Sequence, residues 1–259
     1  CLSPAYAKHR KFFKTGDPEV SYGCGMADVK DGITNAMFSE LLHKDGVPTE
    51  RTLCVLEFSA ESAVVVRASP NLFRPSHFFI HLRQRNIKRL RSTVDIFIER
   101  QISNKDWPGA PKSRDRKYWW FAEQFARTFA EMVARFEREY IFCWLDWDGD
   151  NIMADGRLID YGSIRRFGVF HHKYRFDDVE RWSTNILEQR LKARATVQTI
   201  VQMVDYLVHG ECRPLVDFKN HKFLEIFDET FWRERHKHLL YKFGFDGAQA
   251  ETLMEKHPD

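Results

Sequence analysis

The sequence predicts an α+β fold of two lobes, the first rich in strands and the second helical. β-Branched apolar segments are concentrated before about residue 76, whereas long segments with helical periodicity follow it. The chain has 259 residues, 43% of them hydrophobic, which suffices for one large or two small domains around a sizeable core. We therefore predict an N-terminal lobe over residues 1–76 and a C-terminal lobe over residues 77–259.

The N-terminal lobe is predicted to contain one short helix and one hairpin. Residues 34–44 place apolar side chains on one helical face, and Gly46 suits the left-handed conformation that ends a helix. Residues 52–56 and 63–67 are apolar and β-branched, and polar residues 59–62 separate them, which predicts a β-hairpin. Four glycines within residues 1–32 indicate loops and short strands.

The C-terminal lobe is predicted to be built from long helices. Helical periodicity covers residues 83–101, 118–140, 176–208 and 223–256, and prolines with a glycine make residues 104–116 a loop. The second of these helices carries one aromatic-rich stripe, formed by Phe121, Phe125, Phe129, Met132, Phe136 and Tyr140. Such a stripe predicts a helix buried in the core.

The segment LDWDGDN, which ends at Asn151, is followed nine positions later by Asp160 in the triplet DYG. In the protein-kinase scaffold an Asn and the Asp of a DFG-type triplet hold the Mg²⁺ that bridges nucleotide phosphates. Residues 156–159 predict a turn and an apolar strand, as expected for a hairpin that joins two such ligands. The alternative is that these Asp, Gly and Asn residues merely form turns.

Further motifs occur in a fixed order along residues 12–190. They are SE at 39–40, GVPTER at 46–51, VRAS at 66–69, FR at 73–74, DN at 150–151, LIDYG at 158–162, YRF at 174–176 and WSTN at 182–185. In their order and spacing they resemble the selenoprotein O family of kinase-fold protein adenylyltransferases. The resemblance implies a bilobal protein-kinase-like fold, with a reduced N-terminal lobe, that transfers AMP from ATP to protein hydroxyls.

The resemblance also implies roles for residues of the N-terminal lobe. Lys14 falls on the lysine that contacts the nucleotide phosphates, and Glu40 on the helix glutamate that pairs with this lysine. Gly25 falls on a glycine at which the backbone approaches the nucleotide. Arg67 and Arg74, seven positions apart, fall on two arginines that bind the phosphate tail of an ATP in reversed orientation.

In the C-terminal lobe the resemblance assigns the metal to Asn151 and Asp160, and the catalytic base to Asp150. Asp146 is a second candidate, because it stands five positions before Asn151, as the catalytic Asp of ordinary kinases does. Two alternatives therefore stay open. One is a phosphotransferase that uses Asp146 as its base; the other is a catalytically silent pseudokinase that only binds.

The expected cofactors are ATP and Mg²⁺, with Mn²⁺ as an alternative, and the expected partner is a protein with an acceptor hydroxyl. A net charge of only +3 argues against a nucleic-acid partner, and the basic residues of 83–91 are predicted to form a solvated face. No apolar run is long enough for a membrane helix. Five scattered cysteines without a CxxC pair predict a reducing compartment, the cytoplasm by default. The histidines at 171–172, 236 and 238 are predicted to lie at the surface without a metal.

Overall fold

A computed structural model describes residues 7–8, 11–12, 27–59, 62–139, 141–143, 152–159, 161, 164–166 and 186–257. These residues form an α+β, mostly helical fold. In chain order its elements are β1 (Ala7–Lys8), β2 (Lys11–Phe12), α1 (Val29–Lys44), β3 (Arg51–Ser59), β4 (Ser62–Ala68), α2 (Pro75–Arg83), α3 (Ile87–Ser103), α4 (Arg114–Arg138), β5 (Ile141–Cys143), β6 (Ile164–Arg166), α5 (Ile186–His209), α6 (Lys222–Lys242) and α7 (Gly247–Lys256). The strands pair two by two and antiparallel, β1 with β2, β3 with β4 and β5 with β6.

The chain divides into two compact units, Cys1–Ser69 and Pro70–Asp259. In the first unit, helix α1 packs against the hairpin of β3 and β4. The helix starts at Val29, earlier than the predicted residue 34, because the carboxylate of Asp28 caps it by accepting a hydrogen bond from Asp31 N at 2.6 Å. Its end agrees with the prediction: Gly46 has a φ of 73°, and Val47 N donates to Leu42 O.

The close approach of α1 to the hairpin depends on Gly32. A Cβ at this position would lie 2.6 Å from Val55 Cγ1 and 3.4 Å from Val65 Cγ2. No side chain fits without a shift of the helix or of these valines. The glycine therefore sets the distance between α1 and the sheet.

We expect Gly32→Ala to destabilise the protein by about 1–2 kcal/mol, because the new methyl group overlaps Val55. In an exposed helix the same change would stabilise by up to about 1 kcal/mol, so the sign is diagnostic. Urea unfolding measures it. Gly109→Ala is the control, since a Cβ there meets nothing within 4 Å. An increase in stability for Gly32→Ala would contradict this packing.

In the second unit, α5 and α6 pack against the long helix α4. The predicted stripe is confirmed in all of its described members, and Phe121, Phe125, Phe129, Met132 and Phe136 are all buried. Tyr140 lies outside the described residues. Helix α4 begins at Arg114, so it includes the last three residues of the predicted loop. Aromatic rings from α2 and α3 extend this core, because Phe78 and Phe97 both pack edge to face on Phe121.

The helix predicted over residues 83–101 proved to be parts of two helices. Helix α2 ends at Arg83, Arg85 takes a left-handed φ of 51°, and Asn86 caps α3 by accepting a hydrogen bond from Arg89 N at 3.1 Å. The helix predicted over residues 223–256 is divided in the same way, by Gly244 with a φ of 90° and by the cap at Asp246. Of the helix predicted over 176–208, residues 176–185 lie outside the described part.

Two surface predictions can be checked. Arg83, Arg85, Lys88 and Arg89 are exposed, as a solvated basic face requires, but Arg91 is half-buried and does not belong to that face. His236 is exposed, but the prediction for His238 was wrong, because only 8% of this residue is exposed. No helix among the described residues is long and apolar enough to cross a membrane.

His238 is buried because α4 supplies a hydrogen-bond partner for it. Its Nδ1 lies 3.1 Å from Nη1 of Arg138, a guanidinium that can only donate, so Nδ1 accepts and the ring is neutral. Burial, together with the charges of Arg138, Arg135, Lys237 and Lys242, lowers the pKa of His238 from its ordinary 6.5 to about 4. The Glu234 carboxylate lies 3.9 Å from Nε2 and favours the charged ring, but burial and the four cations outweigh it.

We expect the free energy of unfolding to fall by about 2 kcal/mol between pH 7 and pH 5 because of His238. Within this window the unfolded chain binds a proton, since its histidine titrates near 6.5, whereas the folded chain does not until about pH 4. Urea unfolding at both pH values measures the loss. His238→Gln should reduce the pH dependence and His236→Gln should keep it. Equal pH dependence in His238→Gln and the wild type would refute the assignment.

Candidate active site

A tight hairpin occupies the segment between Asn151 and Asp160. Ile152 and Leu158 form an antiparallel bridge, Met153 N donates to Arg157 O at 2.9 Å, and Gly156 N donates to Met153 O at 3.0 Å. The turn needs glycine, because Gly156 has a φ of 79°. The turn agrees with the prediction for residues 156–159, whereas the predicted apolar strand is reduced to the single bridge at Leu158. The hairpin brings together the two ends of the segment that connects the predicted metal ligands.

A buried ion pair braces this hairpin. The Asp155 side chain is 1% exposed and accepts hydrogen bonds from the backbone and the guanidinium of Arg157. Burial raises the pKa of Asp155, whereas Arg157 opposes the rise. Arg157 also lies 3.7 Å from Asp106. A carboxylate so enclosed by its own turn holds the backbone, and does not offer its oxygens to a ligand.

Arg74 lies beside this hairpin in the fold of the second unit. The preceding residue, Phe73, accepts a hydrogen bond at its carbonyl oxygen from Ala154 N, with a distance of 2.7 Å. Arg74 is also the N-cap residue of α2, and its backbone N donates to Nδ1 of His77 at 3.1 Å. The backbone of Arg74 is therefore fixed on both sides, and its half-buried side chain starts from a defined position.

Helix α3 anchors the residues that lead to Arg74. Asn104 Nδ2 donates to Pro70 O at 3.1 Å, and Asn71 Nδ2 donates to Gln101 Oε1 at 2.8 Å. Asn71 and Gln101 are both buried, so the bond between them is shielded from water. The segment 70–74 is thus tied to α3 at one end and to the hairpin at the other.

In the first unit, Glu40 pairs with Arg51. Its Oε1 accepts hydrogen bonds from Arg51 Nη2 at 2.7 Å and from Nε at 3.2 Å. The neighbouring Ser39 is buried, and its Oγ accepts a hydrogen bond from Thr52 N at 2.9 Å. These contacts join the last turns of α1 to the start of β3. The predicted partner of Glu40, Lys14, lies outside the described residues.

Arg67, near the end of β4, pairs with Glu50. Its Nη1 lies 2.8 Å from Glu50 Oε1, and the Glu50 side chain is only 1% exposed, whereas 36% of the Arg67 side chain is exposed. A carboxylate this deeply buried has to be paired. Arg67 is therefore not an isolated surface cation.

Three of the nine predicted site residues are described, namely Glu40, Arg67 and Arg74. The others lie outside the described part of the chain, and their roles stay predictions: Lys14, Gly25, Asp146, Asp150, Asn151 and Asp160. Within the residues that the structure describes, no three His, Cys, Asp or Glu side chains are grouped so as to hold a metal ion.

The sequence analysis did not identify the residues that pair with or fix the predicted ones. Glu50 and Arg51 are neighbours in the GVPTER motif, and successive side chains of a strand point to opposite faces of the sheet. The sequence therefore could have predicted that these two residues have different partners. The link from Ala154 to Phe73 joins residues far apart in sequence through backbone atoms alone, and no residue pattern indicates it.

Comparison with known proteins identifies the family to which the chain is similar. A family profile described as Protein adenylyltransferase SelO matches residues 18–257. A protein nucleotidyltransferase YdiU of Aromatoleum aromaticum is 26% identical over 270 residues, covering 92% of this chain and 47% of the relative. One from Variovorax paradoxus is 29% identical over 158 residues, covering 58% of this chain and 31% of the relative.

The chain therefore spans less than half the length of these relatives. The family profile nevertheless matches nearly all of it, from residue 18 to residue 257. The chain belongs to the protein adenylyltransferase SelO family.

Proposed function

We propose that this chain is an ATP-dependent protein adenylyltransferase on a bilobal, kinase-like fold. It transfers AMP from ATP to a Ser, Thr or Tyr hydroxyl of a protein substrate, and pyrophosphate leaves. Family membership supports the reaction, since the profile that matches the chain carries this activity in its description. The observation that carries the proposal for the site is the bond between Phe73 O and Ala154 N.

This bond supports the site because it connects two predicted parts. Arg74 follows Phe73 directly, and Ala154 lies in the hairpin between Asn151 and Asp160. A phosphate-binding arginine and a metal site must both reach one triphosphate, so they need a common and rigid support. The anchored segment 70–74 and the hairpin together provide such a support.

The metal that suits the predicted ligands is Mg²⁺, with Mn²⁺ as an alternative. Asn151 offers an amide oxygen and Asp160 a carboxylate, and hard divalent cations prefer oxygen donors. When bound, such an ion neutralises charge on the transferring phosphates. The bridge between Ile152 and Leu158, in the segment that connects the two predicted ligands, supports a common site for them.

ATP is proposed to lie reversed, with its terminal phosphates on Arg67 and Arg74. This orientation presents the α-phosphate to the acceptor hydroxyl, whose proton Asp150 accepts, with Asp146 as the second candidate. Gly25 lets the backbone approach the nucleotide. Lys14 is proposed to pair with Glu40 and to reach the phosphates. The Glu40 carboxylate also accepts a hydrogen bond from Arg51 at its Oε1.

The decisive experiment uses ATP labelled at either the α- or the γ-phosphate. We expect the α-label on protein and no γ-label, with Asp160→Ala as the negative control. A γ-label on protein would establish phosphoryl transfer and favour Asp146 as the base. ATP binding without transfer of either label would favour the silent binding module.

A further inference from the structure

Glu50 is a buried carboxylate for which the proposed reaction so far has no use. It immediately precedes β3, its side chain is 1% exposed, and its Oε1 accepts a hydrogen bond from Arg67 Nη1 at 2.8 Å. Arg67 itself keeps 36% of its side chain exposed. One end of the pair is therefore enclosed, and the other faces solvent.

The register of the hairpin creates this pair. Thr52 of β3 lies opposite Arg67 of β4, and Glu50 stands two residues before Thr52. Residues two apart along a strand share a face, so Glu50 is a diagonal neighbour of Arg67. The start of β3 is held in turn by Ser39, whose Oγ accepts from Thr52 N at 2.9 Å. The position of Glu50 is thus set by the backbone of the sheet.

A fixed carboxylate restricts a long and flexible side chain. An unpaired arginine distributes its guanidinium over many rotamers, and binding a phosphate then costs the entropy of ordering it. A charge-assisted bond to a buried oxygen removes most of this freedom before the ligand arrives. The exposed part of Arg67 is then held in one orientation.

We propose that Glu50 is a positioning residue that holds the Arg67 guanidinium ready for the terminal phosphates of ATP. The inference rests on the proposed function, because it takes Arg67 as a phosphate contact. Glu50 does not touch the nucleotide. Its negative charge is neutralised by Arg67, so it orients this cation without presenting a free anion to the phosphates.

The alternative is that the pair only stabilises the hairpin. The two roles differ in what they predict for ATP and for AMP, because AMP lacks the phosphates that Arg67 would bind. They also differ for Glu50→Gln, which keeps an oxygen acceptor at the same place but removes the charge. A positioning role needs the acceptor.

The test measures the binding of Mg²⁺-ATP and of AMP to the full chain, with thermal unfolding recorded for each variant. We expect Glu50→Ala to weaken ATP binding about tenfold, the size of one charge-assisted hydrogen bond, and AMP binding by less than about twofold. Glu50→Gln should retain ATP affinity to within about threefold, because its amide oxygen accepts the bond from Arg67.

Three results would overturn the inference: unchanged ATP affinity in Glu50→Ala, equal losses for ATP and AMP, or a loss in Glu50→Gln as large as in Glu50→Ala. The double variant Arg67→Ala/Glu50→Gln separates this inference from the proposed function, and is compared with Glu50→Gln. If it loses ATP affinity while Glu50→Ala does not, Arg67 binds phosphate without help from Glu50. If the double variant keeps ATP affinity, Arg67 does not bind the phosphates. The role of Arg67 in the proposed function and the positioning role of Glu50 are then both wrong.

Discussion

Asp160→Ala is expected to lower AMP transfer at least about 100-fold while the protein stays folded. Removing a metal ligand withdraws several kcal/mol of charge stabilisation from the transition state. The affinity for ATP should fall as well, and it should no longer depend on Mg²⁺. Transfer of the α-label and ATP binding with and without a chelator measure both effects.

The control for Asp160→Ala is Asp228→Asn, in α6, whose carboxylate accepts hydrogen bonds from Arg194 Nε. It removes a paired carboxylate outside the hairpin, so the Mg²⁺ dependence should not change. If Asp160→Ala kept a wild-type response to Mg²⁺, the metal would not be held by this residue. Asn151→Ala should then be tested for the same response.

The secondary structure that the sequence predicted well has strong local signals. The stripe of α4 repeats every three to four residues over more than four turns, and its described members are buried. Helix α2 escaped prediction because it is only nine residues long. Its start was nevertheless marked by Pro75, at a position where proline favours the first helical turn.

The burial of His238 could not be predicted from sequence, because histidine is found both inside and outside proteins. What decides it is Arg138, which stands 100 positions earlier and supplies the hydrogen bond. For the same reason the candidate site was predicted only in part. The resemblance to a known family indicated Arg67 and Arg74, but the residues that fix their positions come from contacts between distant segments, such as Phe73 with Ala154.

Arg67 and Arg74, which are proposed to bind the terminal phosphates of ATP, differ in how clearly a substitution can test that role. Arg67→Ala would remove the partner that lies 2.8 Å from the buried Glu50, and the loss of an ion-pair partner of a buried carboxylate destabilises the fold. Any loss of ATP binding would then mix two causes. Arg74 caps α2 through its backbone, which donates to His77, and an alanine keeps that bond. Arg74→Ala is therefore the sharper variant.

We expect Arg74→Ala to weaken ATP binding by about 1.5–3 kcal/mol, the contribution of a hydrogen bond to a charged group, which corresponds to about 10- to 150-fold. AMP binding should change much less, because a reversed ATP places only its terminal phosphates on this arginine. Arg83→Ala, an exposed arginine at the end of α2, is the control and should bind both nucleotides normally. Equal losses for ATP and AMP would mean that Arg74 acts on the nucleoside or the α-phosphate. Together with a γ-label on protein, that result would reject the reversed orientation and assign the chain the ordinary kinase geometry with Asp146 as its base.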